Sequence, residues 1–167
     1  MKRPFGSWHV VALFNWTDEP AEIGVDWKEL GEPDDKAFLA WEFWTETWQG
    51  RLTERLEMQV PPRSVRLVAL QPALDRVQFL SSDRHVTQGA VELKGQTWAE
   101  GACTAVLNVI GGFPMTARFA VPDGVTVKGV KVPDGVTATT RTEAGGKVLA
   151  VTLATGKTSD VPVTITF

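Results

Sequence analysis

The run Lys36-Ala-Phe-Leu-Ala-Trp-Glu-Phe-Trp44 is the strongest structural signal in the first half of this chain. Its nine residues include two Trp, two Phe and one Leu, with a single carboxylate, Glu42, among them. Aromatic residues favour strands, and a run that is apolar on both alternating faces is typical of a strand buried on both sides. We therefore predict a central strand here, in a sheet that the residues between Val25 and Leu70 complete.

Polar turns divide the rest of the first half into further short strands. Residues 28–35 are too polar and too rich in Gly, Pro and Asp for more than one helical turn, and residues 45–50 are predicted to be a connection. No amphipathic helical pattern is present, so an antiparallel sandwich is the expected fold. The predicted strands cover residues 7–16, 21–27, 36–44, 51–60 and 63–71.

A boundary is expected at Gln71-Pro72-Ala73-Leu74-Asp75, because a Pro after a completed strand ends pairing. We predict an all-β protein with two antiparallel β-sandwich modules in tandem, residues 1–72 and 73–167. The repeated Val-Pro-Asp-Gly-Val-Thr at 121–126 and 132–137 predicts two type I turns, and residues 144–146 predict a tight hairpin. The predicted strands of the second module cover residues 77–80, 86–93, 95–99, 104–110, 115–121, 125–132, 136–142, 147–154 and 161–167.

The charge of the chain argues against nucleic acid and membrane as partners. The 167 residues carry a formal net charge of -3, with 43% hydrophobic and 22% charged residues. Residues 1–72 contain 8 Lys or Arg against 12 Asp or Glu, and residues 73–167 contain 9 against 8. Neither half has the basic field that a polyanion requires.

Metal and cofactor sites are not expected. The chain has two histidines, His9 and His85, and one cysteine, Cys103, in no spacing that would hold zinc. Cys103 is predicted to be a small buried filler rather than a nucleophile. No signal peptide or membrane-spanning run is evident, so the expectation is a cytoplasmic protein or an internal piece of an exported enzyme.

A catalytic constellation is not predicted either. Residues 81–85, Ser-Ser-Asp-Arg-His, place hydroxyl, carboxylate and imidazole together, but a triad draws them from separate segments, so a turn with local hydrogen bonds is favoured. Glu42 and Glu46 are the carboxylate pair worth weighing for glycoside hydrolysis. We expect instead that Glu42 is buried and held by an arginine, for which four candidates exist: Arg51, Arg55, Arg63 and Arg66.

Seven tryptophans are the feature most suggestive of function, because flat aromatic rings stack on the apolar faces of sugars. Trp27, Trp41 and Trp44 are predicted to fill the sandwich core. Trp48 lies in the polar stretch 45–50 and is the first candidate for carbohydrate contact, with Trp8 and Trp98 as further candidates. The glycosylation sequon at 15–17 is discounted, since no secretion signal accompanies it.

An ordered set of motifs in residues 7–71 resembles the C-terminal β-sandwich of the α-galactosidase (melibiase) clan of glycoside hydrolases. The set comprises a strand ending in Asn, a Trp-x-x-Leu-Gly element, a strand ending in Trp, a Gly, and a closing strand after a Pro-Pro turn. These motifs are found at 8–15, 25–31 (Val-Asp-Trp-Lys-Glu-Leu-Gly), 40–44 (Ala-Trp-Glu-Phe-Trp), Gly50 and 60–67 (Val-Pro-Pro-Arg-Ser-Val-Arg-Leu).

The chain departs from that family in two respects. Family members often read Arg-Asp-Leu-Trp where this chain has Trp41-Glu42-Phe43-Trp44, and Pro-His where it has Pro61-Pro62-Arg63. The clan's catalytic Asp pair lies on an upstream (β/α)₈ barrel of roughly 250 residues, which this chain cannot form, so no catalytic residue carries over. Residues 73–167 are similar, more loosely, to a further β-sandwich in some bacterial members, with residues 82–89 as the recognisable element.

The resemblance implies a non-catalytic C-terminal region of a bacterial glycoside hydrolase. Its expected partner is the catalytic barrel of the parent enzyme, which it would steady, with oligosaccharide as a further contact. Two alternatives stay open: a stand-alone carbohydrate-binding module predicts a row of exposed aromatic residues, and a structural or interaction domain predicts an exposed apolar patch. A self-contained enzyme ranks below both.

Overall fold

A computed structural model of the chain describes residues 2–3 and 6–167, with side chains from Ser7 onward. The described chain is built from antiparallel strands and two short 3-10 turns, so the all-β prediction is confirmed. It separates into two compact units, Met1–Ala73 and Leu74–Phe167. Within the described part of the chain, no helix is long and apolar enough to cross a bilayer.

The first unit is a sandwich of a four-stranded and a two-stranded sheet. Its strands are β1 (Lys2–Arg3), β2 (Gly6–Ser7), β3 (His9–Asn15), β4 (Ala21–Asp26), β5 (Phe38–Glu42), β6 (Thr47–Leu52), β7 (Arg55–Val60) and β8 (Ser64–Pro72). In the larger sheet the strand order is β3-β8-β5-β6, the smaller sheet pairs β4 with β7, and β1 pairs with β2 in the chain's first residues. A single 3-10 turn, Trp27–Leu30, follows β4, as expected for that polar segment.

Strand β5 is the central element of this unit, as predicted. All five of its residues are buried, and it pairs with β6 on one side and β8 on the other. Phe38 packs edge-on against Trp27, with ring centroids 4.9 Å apart. The core is formed by Leu13, Trp27, Phe38, Ala40, Leu56, Val60, Val68 and Leu70.

Two strand predictions in the first unit are wrong. Residues 45–50 are not a connection, because Thr47–Leu52 forms β6 and pairs directly with β5. Residues 51–60 therefore belong to two strands, β6 and β7, with a bend at 53–54 between them. The reversal comes earlier than predicted, at residues 43–46, where Glu46 adopts a left-handed φ of 50° that closes the turn.

The second unit is a sandwich of two four-stranded sheets. The sheet orders are β10-β11-β16-β13 and β14-β15-β12-β9. Alternate residues of β11 and β16 are buried, as expected for strands with one face on a core. The strands are β9 (Gln78–Ser82), β10 (Leu93–Ala99), β11 (Ala102–Val109), β12 (Met115–Ala120), β13 (Gly129–Lys131), β14 (Val136–Glu143), β15 (Val148–Thr155) and β16 (Ser159–Thr166).

Three details of the second unit correct the sequence predictions. Residues 86–92 form a turn-rich loop rather than a strand, and its fully buried Gln88 accepts a backbone bond from Ser82. Only Gly129–Lys131 of the predicted strand 125–132 is extended in a sheet. The two repeated turns place Gly124 and Gly135 at φ of 77° and 81° in the third position, which is the geometry of type II rather than type I. The hairpin at residues 144–146 is confirmed.

Candidate functional site

Edge strand β3 exposes apolar side chains on the face that turns away from the core. Val10, Ala12 and Phe14 are exposed, while the alternating residues Leu13 and Asn15 are buried. The neighbouring strand β8 continues this surface, because the register pairs Ala12 with Leu67 and Phe14 with Val65. A solvent-facing row in a sheet is ordinarily polar, so this row departs from the usual pattern. We call Val10, Ala12 and Phe14 the outer stripe.

Asn15 anchors the turn that follows the stripe. Its side chain is only 2% exposed, and its Nδ2 donates to the backbone oxygens of Glu19, at 2.8 Å, and Val60, at 3.0 Å. Its Oδ1 accepts from the backbone N and the hydroxyl of Thr17, at 2.9 and 2.7 Å. This buried amide is fully occupied, so Asn15 is a structural residue of the turn and not an accessible glycosylation site in the folded chain.

The anchored turn presents Trp16 to solvent. Its side chain is 73% exposed, and its ring stacks on Phe14 with an interplanar angle of 1° and centroids 5.3 Å apart. An exposed Trp loses the favourable free energy that burial of its large apolar ring would supply. The backbone next to Trp16 is held in place by the hydrogen bonds of Asn15 and Thr17. We call Phe14 and Trp16 the aromatic platform.

A charged pair lies in the two turns beside the platform. Arg63 Nε donates to Asp18 Oδ1 at 2.8 Å, and the backbone N of Arg63 donates to the Thr17 oxygen at 3.1 Å. Both charged side chains are well exposed. The bridge itself adds little stability at such exposure. The backbone bond from Arg63 to Thr17 joins the two turns.

Trp44 lies outside the core, contrary to prediction. It is 57% exposed and contacts Phe43 edge-on, with centroids 4.9 Å apart. The reason is that β5 ends at Glu42, so Trp44 belongs to the turn at 43–46 rather than to the strand. The predicted core positions of Trp27 and Trp41 are confirmed, since they are 0% and 1% exposed.

The three tryptophans predicted to contact carbohydrate occupy different environments. Trp8 is 1% exposed, so its ring faces no solvent. Trp48 is half-buried in β6, opposite Trp41. Trp98 is half-buried, donates Nε1 to the Val77 oxygen at 2.7 Å, and lies 4.1 Å from the guanidinium carbon of Arg76. Contact between these three tryptophans and sugar stays a prediction. The sequence analysis did not identify the aromatic platform.

Glu42 is fully buried, as expected. Its carboxylate is held by backbone and hydroxyl donors and not by the arginine that was predicted. Its Oε2 accepts from the backbone N and the hydroxyl of Thr45, at 2.6 and 2.5 Å, and its Oε1 accepts from the Leu67 N at 3.3 Å. The carboxylate therefore pins the 43–46 turn to β8. Glu46 lies on that turn itself.

The Ser-Asp-His segment at 81–85 does not assemble a triad. Ser81 donates to the Gln88 side chain, Asp83 accepts from the Thr116 N, and His85 pairs with the buried carboxylate of Glu92. The three side chains thus have separate partners, as the non-catalytic interpretation expects, although the partners are more distant in sequence than predicted. Among the described residues, no group of three or more His, Cys, Asp or Glu could hold a metal ion.

A second polar cluster joins the start of β3 to the loop before β5. His9 Nε2 and Glu32 Oε1 are 2.7 Å apart, and Lys36 Nζ lies 2.5 Å from Glu32 Oε2. Burial acts to raise the pKa of Glu32, but the hydrogen bonds and charges of Lys36 and His9 outweigh it and hold that pKa below its ordinary value. The cluster therefore stabilises the ionised carboxylate of Glu32.

Cys103 is buried on β11, which confirms its predicted filler position. Burial raises the pKa of its thiol, against the opposing effects of the Gln96 hydrogen bond and the charge of Arg76. A protonated, inaccessible thiol has no role as a nucleophile in this fold.

Comparison with known protein families and curated proteins identifies no relative of this chain. No protein-family model matches the sequence, and no curated protein is similar to it at a significant level.

Proposed function

We propose that the chain is a non-catalytic accessory region of a bacterial glycoside hydrolase, which docks against the catalytic (β/α)₈ barrel and steadies it. The proposal rests on the ordered motifs of residues 7–71 that resemble the C-terminal sandwich of the α-galactosidase clan. The observation that carries it is the outer stripe, an apolar row on the solvent face of an edge strand.

The stripe has the character of a docking surface. Three successive outward positions of β3 are apolar, and Val65 and Leu67 widen the surface on β8. At about 3.4 Å per residue, Val10 to Phe14 spans roughly 14 Å. Exposed apolar surfaces that are contiguous rather than scattered mark interaction sites.

The test is binding of the chain to an α-galactosidase barrel expressed without its own C-terminal β-domain, measured by isothermal titration calorimetry. The accessory role predicts saturable binding. Ala12→Lys places a charge in the middle of the stripe and is expected to weaken binding roughly tenfold or more, since a buried unpaired ammonium is costly.

Thr53→Lys is the matched control, because it adds the same charge at an exposed position in the β6–β7 bend of the same unit. This variant is expected to bind as the parent chain does. Equal weakening by both substitutions would show that net charge rather than the stripe governs binding, and absence of binding across barrels of the clan would contradict the docking role.

Contact with carbohydrate is the second part of the proposed role. The observation that favours it is the aromatic platform, whose Trp16 is the most exposed large apolar side chain that the structure describes.

A further inference from the structure

The turn between β3 and β4 combines three features that a ligand site requires. It has an exposed Trp16 ring that stacks with one face on Phe14, a charged pair in Asp18 of the same turn and Arg63 of the neighbouring turn, and a backbone fixed by the buried amide of Asn15. Preorganisation matters because a site that is already ordered pays less to bind. The Asn15 network supplies that order independently of any ligand.

The size of the platform distinguishes its occupant. Aromatic side chains bury about 150–250 Å² each, so the 73% exposed side chain of Trp16 offers roughly 110–180 Å². A standard protein interface takes about 800 Å² from each partner, which is several times more than Trp16 offers. An area of this size matches one sugar ring.

The chemistry of the margin points to the same class. A pyranose has an apolar C–H face and a rim of hydroxyl groups. The rings of Phe14 and Trp16 suit the first, while the carboxylate of Asp18 and the guanidinium of Arg63 can accept from and donate to the second. Because this pair is exposed, its remaining polar atoms are open to solvent.

We propose that the aromatic platform is a pyranose-binding site, in which one sugar ring stacks on Trp16 and its hydroxyl groups bond to Asp18 and Arg63. This assignment rests on the proposed accessory role and deepens it by naming the ligand class and the residues. It places carbohydrate contact at the β3–β4 turn rather than at Trp48, Trp8 or Trp98.

The experiment is isothermal titration calorimetry of the full chain with galactobiose, cellobiose and xylobiose. Calorimetry is chosen because Trp16→Ala removes a fluorophore together with the binding surface. The parent chain is expected to bind at least one disaccharide with a millimolar Kd, and Trp16→Ala is expected to weaken that binding on the order of tenfold or more. Trp16 is exposed, so the variant is expected to keep the parent's far-UV circular dichroism and melting temperature.

Two matched variants locate the site. Trp44→Ala removes another exposed Trp, 57% accessible against 73% for Trp16, from a different turn of the same unit and is expected to leave the Kd unchanged. Arg63→Gln is expected to weaken binding several-fold through loss of the charged donor while the rings stay in place. A Kd that Trp16→Ala does not change, or heat flow from none of the three sugars, overturns the assignment.

The two proposals fail separately. If the chain binds the barrel but no sugar, the pyranose-site proposal is wrong and the docking proposal stands. If the chain binds sugar but not the barrel, the docking proposal is wrong and the pyranose-site proposal stands.

Discussion

Replacing Asn15 by Ala tests how the turn that carries Trp16 is held. The substitution removes four hydrogen bonds, two donated by Nδ2 and two accepted by Oδ1. It also leaves the oxygen of the fully buried Val60 without the donor that Asn15 supplies.

The expected cost follows from these contacts. A typical intramolecular hydrogen bond contributes about 1 kcal/mol net, so four would give about 4 kcal/mol. The bonds that involve Thr17 and Glu19 lie close to solvent, where water replaces part of what is lost. We therefore expect a loss of about 2–3 kcal/mol in the free energy of unfolding, much of it from the buried Val60 oxygen.

Urea unfolding followed by Trp fluorescence measures this loss, because six of the seven Trp lie in the first unit. With a slope of about 1 kcal/mol/M for a unit of this size, the midpoint should fall by roughly 2–3 M with an unchanged slope. Thr17→Val removes the hydroxyl bond to Asn15 but keeps the bond from Asn15 to the Val60 oxygen, so it should cost only about 1 kcal/mol. An Asn15→Ala midpoint within about 0.5 M of the parent would contradict this structural role of Asn15.

Three further predictions concern other parts of the chain. Gly111→Ala would place a Cβ 2.8 Å from the backbone of 157–158 and should cost about 1–3 kcal/mol in a thermal melt, whereas Gly156→Ala, which meets open space, should be neutral or slightly stabilising. Cys103 should resist a thiol reagent at pH 8 in the folded chain and react fully in denaturant, and rapid labelling of folded protein would contradict its burial. The pKa of Glu32 is lowered from 4.5, so its stabilising effect is present above that pH and is lost as the pH falls through the folded pKa. Glu32→Gln should therefore destabilise the chain at pH 7 and cost progressively less as the pH falls below 4.5, and a loss that did not change with pH would be inconsistent with the ion cluster.

The sequence predicted the interior of the first unit well. The run at 36–44 is dense in aromatic residues, and the centre of that run is a strand buried on both faces. Prediction failed at its end, because composition does not distinguish an aromatic residue in a strand from one in the following turn. Trp44 was therefore assigned to the core, and β6 was missed.

The candidate site was hidden from the sequence for a related reason. Alternation of polar and apolar residues reveals which face of a strand is exposed only when the exposed face is polar. Strand β3 carries apolar residues on both faces. Its outward residues were consequently not recognised as a surface. Asn15 and Thr17 likewise matched a glycosylation pattern, and only the hydrogen-bond network shows that Asn15 anchors the turn beneath Trp16.

We propose that this chain steadies the catalytic barrel of a glycoside hydrolase. This role is tested by the rate of thermal inactivation of an α-galactosidase barrel that lacks its own C-terminal β-domain, measured with the chain in excess and without it. We expect the inactivation half-life to lengthen with the parent chain and with Thr53→Lys but not with Ala12→Lys. An inactivation rate that the chain leaves unchanged at saturating concentration would contradict the claim.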